Sequence, residues 1–101
     1  MTFNPQPKTG KPKNGTKAGR AHMEKVARLP CLCCDMLGIP QDGRTYVHHC
    51  RSGGQLKDDF KTVPLCHFHH QGYGGYHTNK RAWEKQFGFD IDWLDWVAAR
   101  I

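Results

Sequence analysis

The chain has 101 residues, 38% of them hydrophobic, and a formal net charge of +6 at pH 7. This length is that of one small domain, and no stretch approaches the length of a membrane span, so neither a multidomain nor a membrane-spanning protein is expected. A core this small usually needs disulfides or a metal. Five cysteines, an odd number, with seven histidines and no apolar run in the first twenty residues favour a metal and a reducing cytoplasm over a secreted disulfide scaffold.

The positive charge is concentrated at the start of the chain, where the first 22 residues contain five cationic side chains and no acidic one. These cationic residues are Lys8, Lys11, Lys13, Lys17 and Arg20. Because prolines, glycines and polar residues fill the same stretch, it cannot bury enough apolar surface to fold. We therefore predict a disordered basic arm over residues 1–18 and a folded domain over residues 19–101. A polyanion is the partner that this charge favours, and a solubilising tail is the alternative.

The first elements of the domain follow from helix formers and turn residues. Residues 18–29 contain several good helix formers and end before Pro30, which predicts a short helix. Residues 31–34 are expected to form a tight knuckle. Residues 35–44, which contain Gly, Pro and Asp-Gly, predict a loop. Residues 45–49 predict a strand.

The second half of the chain completes a small α+β domain. Residues 60–63 are the predicted hairpin partner of the strand, after a loop longer than a tight hairpin needs. Pro64 is expected to turn the chain into a helix that starts at His67. Thr78 is the predicted N-cap of a helix that Gly88 ends, and Asp92 that of a last helix over residues 93–100. The apolar residues expected to close the core are Trp93, Leu94, Trp96 and Val97.

Two pairs of potential zinc ligands share the same two-residue spacer. They are Cys31-x-x-Cys34 and Cys66-x-x-His69. Each spacer allows a knuckle to aim both ligands at one ion, and two knuckles complete a tetrahedron of sulfurs and one imidazole. A closed shell leaves no position for substrate, so we predict a structural zinc whose binding energy is part of the folding energy. Two alternatives stay open, Cys33 in place of Cys34 and Cys50 in place of His69.

Histidines that the zinc does not use predict a second site. They are His48, His49, His70 and His77, flanked by turns and glycines, which is unlike a hydrophobic core. Neighbouring side chains of a strand point to opposite faces, so His48 and His49 can do different jobs. One strand imidazole and one at a helix start can hold a divalent ion that contacts a phosphate oxygen. The free imidazole beside them is suited to deprotonate water.

The arrangement of these motifs resembles that of the HNH nucleases, the ββα-metal superfamily. The motifs concerned are Cys31-x-x-Cys34, Val47-His48-His49 and Val63-Pro64-Leu65-Cys66-x-x-His69-His70. The continuation is more narrowly similar to the phage recombination-enhancement (Ref) nucleases, through His77 and Lys80-Arg81-Ala82-Trp83-Glu84-x-x-Phe87-Gly88. The similarity spans about residues 29–95. It implies a zinc-stapled ββα-metal (HNH) fold and a phage-encoded endonuclease that hydrolyses DNA.

The resemblance also implies a role for each histidine of the second site. His48 would be the metal ligand on the strand, and His49 the general base that activates water. His70 would be the ligand on the helix and His77 the last ligand. Asn79 is the alternative to His77, since a glycine-rich insert delays that histidine. The family usually cleaves DNA with Mg²⁺ or Mn²⁺, and imidazoles also accept zinc.

The partners follow from the charge and from the resemblance. Candidate phosphate contacts beside the motifs are Arg51, Lys57, Lys61, Lys80 and Arg81. With the arm, they would give sequence-independent, salt-sensitive affinity for DNA. Cutting by Ref-type nucleases depends on a recombinase filament, so this filament is a further expected partner, in the cytoplasm of a bacterial host.

Two other hypotheses stay open beside the nuclease. The first is a non-catalytic zinc-ribbon DNA-binding protein, in which His48 and His49 complete a second structural zinc. The second is an interaction module whose last helix docks on a partner. A catalytic ion keeps a position open for water or phosphate, whereas a structural ion does not, so this property separates the nuclease from the zinc ribbon.

Overall fold

In the computed structural model, which describes residues 14–101, a two-stranded antiparallel sheet is surrounded by short helices. The elements are α1 (Lys17–Ala27), α2 (Leu32–Leu37), β1 (Thr45–His49), β2 (Thr62–Cys66), α3 (His67–His70), α4 (Lys80–Phe87), a 3₁₀ turn (Asp90–Trp93) and α5 (Leu94–Ala98). The predicted small α+β class is confirmed. Among the described residues, no helix is long and apolar enough to cross a bilayer. Residues 1–13, with Lys8, Lys11 and Lys13, lie outside the described part of the chain.

Helix α1 begins one residue before its predicted start. The Thr16 side chain caps it by accepting the N–H of Gly19 at 2.9 Å. Just before the helix, the N–H of Gly15 donates to Asp59 at 2.8 Å. Residues 15–18, assigned above to the arm, are therefore held against the domain, and Lys17 lies in the first turn of α1. Part of that assignment thus needs correction, because local capping and a distant carboxylate order these residues.

The segment after Cys31 is a helix, where a tight knuckle followed by a loop was predicted. Cys31 is the N-cap residue of α2, and Gly38, with a φ of 67°, ends the helix in the left-handed conformation. The loop predicted from residue 35 therefore starts only after Leu37. The N–H groups of Gly38 and Ile39 satisfy the carbonyls of Asp35 and Cys34, so this last turn is complete.

Strand β1 has the predicted bounds, whereas its partner β2 starts later and runs further than predicted. Thr45 pairs with Cys66 and His49 with Thr62, which places Pro64 opposite Val47. The predicted turn at Pro64 is wrong, because Pro64 lies inside β2. Each strand of a two-stranded sheet has one edge without a partner strand, where the missing N–H of a proline is tolerated. All residues of β2 are buried, and this burial outweighs the proline signal.

Helix α4 has the predicted end but a different N-cap. The side-chain oxygen of Asn79 accepts the N–H of Ala82 at 3.1 Å, while the Thr78 hydroxyl donates to carbonyls of the preceding insert. Trp83 and Phe87 share the buried face of α4. Both Thr and Asn are good N-caps, so the fold of the insert decides between them.

The last helix is shorter than predicted. A 3₁₀ turn starts at Asp90, and α5 covers only Leu94–Ala98. Asp92, the predicted N-cap, instead accepts the N–H of Phe89 at 3.1 Å. Val97 is buried, and Trp93, Leu94 and Trp96 are partly buried against the core. The core residues around them include Val26, Leu32, Val63, Leu65, Trp83 and Phe87.

Candidate metal centres and active site

Three thiols and one imidazole meet between α2, the end of β2 and α3. The residues are Cys31, Cys34, Cys66 and His69, all buried, with ligand atoms within 4.8 Å of one another. Nδ1 of His69 lies 3.7, 3.7 and 3.3 Å from the sulfurs of Cys31, Cys34 and Cys66. The Cys34 and Cys66 sulfurs are 3.8 Å apart. Tetrahedral zinc with Zn–S near 2.3 Å and Zn–N near 2.0 Å has edges of about 3.5–3.8 Å, so this cluster could hold zinc.

The electrostatics of the cluster also fit a cation. Burial, with the charge of Cys31 beside it, raises the pKa of Cys34 to about 12. Burial also raises the pKa of Cys66. Thiolates this close together need a positive charge among them, which a bound Zn²⁺ supplies. The structure places Cys33 and Cys50, the alternative ligands, outside this group of four.

A second group of donors consists of His48 on β1, His70 at the end of α3 and His77 after the glycine-rich insert. The ring centres lie 5.2 Å apart for His48–His70, 5.2 Å for His48–His77 and 4.8 Å for His70–His77. Imidazoles bound to one ion at about 2.0–2.1 Å would have ring centres roughly 5 Å apart. The three rings therefore have the spacing that a single ion requires.

One nitrogen of His48 is held and the other is free. Nε2 forms a hydrogen bond with Asp90 Oδ2 at 2.8 Å, and both side chains are buried. Nδ1 of His48 is buried without a hydrogen-bond partner. Buried polar atoms are rarely left unpaired, so an unpaired Nδ1 beside two further imidazoles fits a metal ligand.

Asp90 is itself fixed as an anion. Its carboxylate accepts the N–H of Arg51 at 2.7 Å and of Ser52 at 3.1 Å, besides the bond to His48. Burial alone would raise the pKa of Asp90, but these hydrogen bonds lower it to about 2. An ionised partner orients the His48 ring and leaves Nδ1 as the nitrogen that can face a metal.

The glycine-rich insert returns His77 to the site. The N–H of His77 donates to the carbonyl of His70 at 3.0 Å, so the two imidazoles lie at the neck of the insert. A Cβ at Gly75 would lie 2.7 Å from that same carbonyl oxygen, which explains the need for glycine. Asn79, the alternative ligand, uses its side-chain oxygen to cap α4.

Desolvation favours the neutral form of the other two imidazoles. It lowers the pKa of His70 to about 4, helped by the charges of His48, His77 and His67. Burial also lowers the pKa of His77. The neutral imidazole is the form that binds a metal, so both residues are in the right state near neutral pH.

His49 lies beside this group with a different partner. Its Nε2 forms a hydrogen bond with Asp59 Oδ1 at 2.8 Å, and its side chain is 25% exposed. Donation from His49, then from the N–H of Gly15, lowers the pKa of Asp59. His49 is thus a partly exposed imidazole whose Nε2 is fixed, and no hydrogen bond to its Nδ1 is found among the described residues.

The histidines open into one cleft of about 250 Å³, lined by Val47, His48, His49, Arg51, Lys57, His70 and His77. Of the candidate phosphate contacts, Arg51 and Lys57 thus lie at the site. Lys61 lines a neighbouring depression instead. Lys80 and Arg81 are exposed on α4, and Lys17 and Arg20 are exposed on α1.

Sequence reasoning missed the carboxylates behind the imidazoles. Asp59 lies 10 positions from His49, and Asp90 lies 42 positions from His48. Neither has a characteristic spacing from its partner. For Asp59, the only sequence signal of a role at the site was its place in the long loop beside the histidine strand. For Asp90, the sequence contained no such signal.

Comparison with known proteins places the chain in a family. The model of the family described as "Recombination enhancement, RecA-dependent nuclease" matches residues 15–99, which include every histidine and cysteine of the two clusters. No curated protein and no solved structure gives a significant match. The chain therefore belongs to the family of recombination-enhancement, RecA-dependent nucleases.

Proposed function

We propose that the chain is a metal-dependent DNA endonuclease of the HNH type, with one divalent ion at His48, His70 and His77 and His49 as the general base. The family match supports a nuclease involved in recombination. The observation that carries the finer proposal is the pairing of a three-imidazole group with a separate accessible imidazole in one cleft. A second ion, zinc, would have a structural role at the Cys31, Cys34, Cys66 and His69 cluster.

The residues divide the hydrolysis between them. Mg²⁺ or Mn²⁺ bound by the three imidazoles would stabilise negative charge on the phosphate and on the leaving oxygen. Nδ1 of His49 takes a proton from water, because Asp59 already occupies Nε2. The oxygen of that water then forms a bond to phosphorus as the bond to the leaving sugar oxygen breaks. Arg51 and Lys57 are placed to pair with phosphate oxygens of the strand.

The geometry argues against the zinc-ribbon alternative. That hypothesis needs one ion to bind both His48 and His49. The two rings instead have separate partners, since Nε2 of His48 is hydrogen-bonded to Asp90 and Nε2 of His49 to Asp59. The imidazole group also faces an open cleft rather than a closed shell. Space for water or phosphate beside the ligands is what a catalytic ion requires.

The family description also suggests the context in which the enzyme works. Because the family is described as RecA-dependent, we propose DNA held by a recombinase filament as the substrate, in the cytoplasm of a bacterium. A bacteriophage origin stays a prediction from the resemblance of the Trp83-Glu84-x-x-Phe87-Gly88 motif.

The experiment that tests the function is a cleavage assay on the purified full chain. Single- and double-stranded DNA are supplied with and without RecA, in Mg²⁺, Mn²⁺ or Zn²⁺, with chelator as the control. We expect cleavage that requires Mg²⁺ or Mn²⁺ and is strongest on RecA-coated DNA. A folded, zinc-loaded protein that binds DNA but cuts none of these substrates would favour the zinc-ribbon hypothesis instead.

A further inference from the structure

The carboxylate of Asp59 joins two parts of the molecule that are distant in sequence. Oδ1 accepts from His49 Nε2 at 2.8 Å, and Oδ2 accepts the N–H of Gly15 at 2.8 Å. The side chain is only 3% exposed, although it belongs to the long loop between the strands. The Thr62 hydroxyl donates to the Asp59 carbonyl at 3.2 Å, which ties this point of the loop to the start of β2.

The first turn of α1 packs directly on this carboxylate. A Cβ added at Gly19 would lie 3.0 Å from Asp59 Oδ2 and 3.1 Å from Asp59 Cβ. Gly19 is buried, whereas the flanking residues Ala18 and Arg20 are exposed. The absence of a side chain at residue 19 therefore lets the N-terminal end of the helix, which carries partial positive charge, approach the carboxylate closely.

Resting on the proposed role of His49 as the base, we propose that Asp59 is a positioning residue that fixes the His49 ring for catalysis. We further propose that residues 15–19 hold Asp59 in place. The basic arm joins the domain at Gly15, so the point where the arm is anchored is also a support of the catalytic base.

Fixing the His49 ring should affect the rate of turnover rather than the affinity for DNA. An imidazole whose Nε2 is fixed presents Nδ1 in one direction, whereas a free ring can rotate about its side-chain bonds and lose that alignment. DNA held by the arm would reach the domain at the segment that orients the base. Contacts at the anchor of the arm should therefore change kcat with little effect on KM.

The test compares single-substitution variants of the full chain in the cleavage assay, under conditions where the wild type cuts. Asp59→Asn keeps the size of the side chain but replaces one acceptor by a donor. We expect kcat to fall at least about 10-fold, since general-base catalysis is worth about 10²–10⁴-fold. The KM for DNA and the zinc content should stay unchanged. Asp58→Asn, the same loss of charge one residue earlier, is the matched control and should behave as wild type.

Gly19→Ala tests the support from α1 without altering His49 or Asp59. It should lower kcat about 3-fold, because the added Cβ, 3.0 Å from Asp59 Oδ2, must displace the carboxylate by a few tenths of an ångström, and a displacement of about 1 Å can cost on the order of 10²-fold. Ala21→Gly, the opposite change at an exposed position of the same helix, should lower stability but leave kcat unchanged. Should Asp59→Asn fail to fold, Gly19→Ala alone decides the proposal.

The outcomes separate this inference from the proposed function. Wild-type kcat in Asp59→Asn or in Gly19→Ala, while His49→Ala is inactive, would overturn the positioning role and leave the base assignment intact. Wild-type cutting by His49→Ala would overturn both. A fall in kcat of both variants at unchanged KM, with both controls active, supports the proposal.

Discussion

His48 shows how much of a site depends on a single side chain. Its Nε2 is hydrogen-bonded to the buried Asp90, and its Nδ1 is buried without a partner. One nitrogen therefore fixes the ring in the interior, and the other is available to the group of three imidazoles. At this scale the histidines could be predicted from sequence, because two adjacent histidines on a strand and one on the short helix after the second strand form local patterns. Asp90 could not, since only the folded chain brings it to His48.

The first prediction concerns Asp90. Asp90→Asn should weaken binding of Mn²⁺ at the imidazole group by about 10- to 100-fold, the usual effect of losing a partner that orients a ligand. It should also lower the free energy of unfolding by about 1–3 kcal/mol, because a buried donor loses its charged acceptor. Titration calorimetry measures the first effect and thermal unfolding the second. Asp95→Asn, which alters an exposed carboxylate on α5, is the control. Equal Mn²⁺ affinity in the Asp90 variant and wild type would refute the orienting role.

At the scale of elements, β1, β2 and α3 carry most of the donors, and the insert after α3 returns the last one. The strand and helix positions could be predicted from local periodicity and from ligand spacing. The end of β2 could not, because burial of all its residues overrides the turn signal of Pro64. The return of His77 depends on backbone contacts between the insert and His70, which no local pattern encodes.

The insert gives the second prediction. Gly75→Ala would push a Cβ to 2.7 Å from the carbonyl oxygen of His70, so the insert must move and take His77 with it. Overpacking of this kind costs about 1–3 kcal/mol of stability. Mn²⁺ affinity should fall, while the zinc content is retained. Tyr73→Ala, at a 92% exposed position of the same insert, is the control for the calorimetric titration. If both variants bind Mn²⁺ as the wild type does, His77 is not a ligand.

The cysteine cluster gives the third prediction, since it joins α2 to β2 and α3. Cys31→Ser should lose zinc and unfold, because a structural zinc contributes about 10–16 kcal/mol, as much as the whole stability of a typical domain. Zinc analysis and circular dichroism measure the two effects. Cys50→Ser changes a buried cysteine outside the cluster and should keep its zinc. A native spectrum of zinc-free Cys31→Ser would reject the structural role.

At the scale of the whole molecule, the chain combines a net charge of +6 with two clusters of side chains that could each hold a metal ion. The composition predicted metal sites, because five cysteines and seven histidines are too many for a core of this size. It could not place the boundary of the arm, since the contact between Gly15 and Asp59 spans 44 positions.

The fourth prediction concerns the arm. Replacing Lys8, Lys11 and Lys13 by glutamine should weaken DNA binding and reduce the slope of log K against log salt by about 2–3, at about 0.7–0.9 per phosphate contact. These positions precede Gly15, so its contact with Asp59 is preserved. The control removes the same charge at Lys25, Arg28 and Lys85, which do not line the cleft. An unchanged slope in the arm variant would leave the arm without a role in DNA binding. Fluorescence anisotropy across a range of salt concentrations measures both proteins.

The most direct test of the nuclease assignment compares His49→Ala with His67→Ala, an exposed histidine outside both clusters. The measurement is the single-turnover rate of DNA cleavage in Mg²⁺ or Mn²⁺, with metal content and DNA affinity determined on the same samples. If His49 is the general base, His49→Ala loses about 10²–10⁴-fold in rate at unchanged metal content and affinity, while His67→Ala cuts normally. Cleavage by His49→Ala at the wild-type rate would contradict this role of His49.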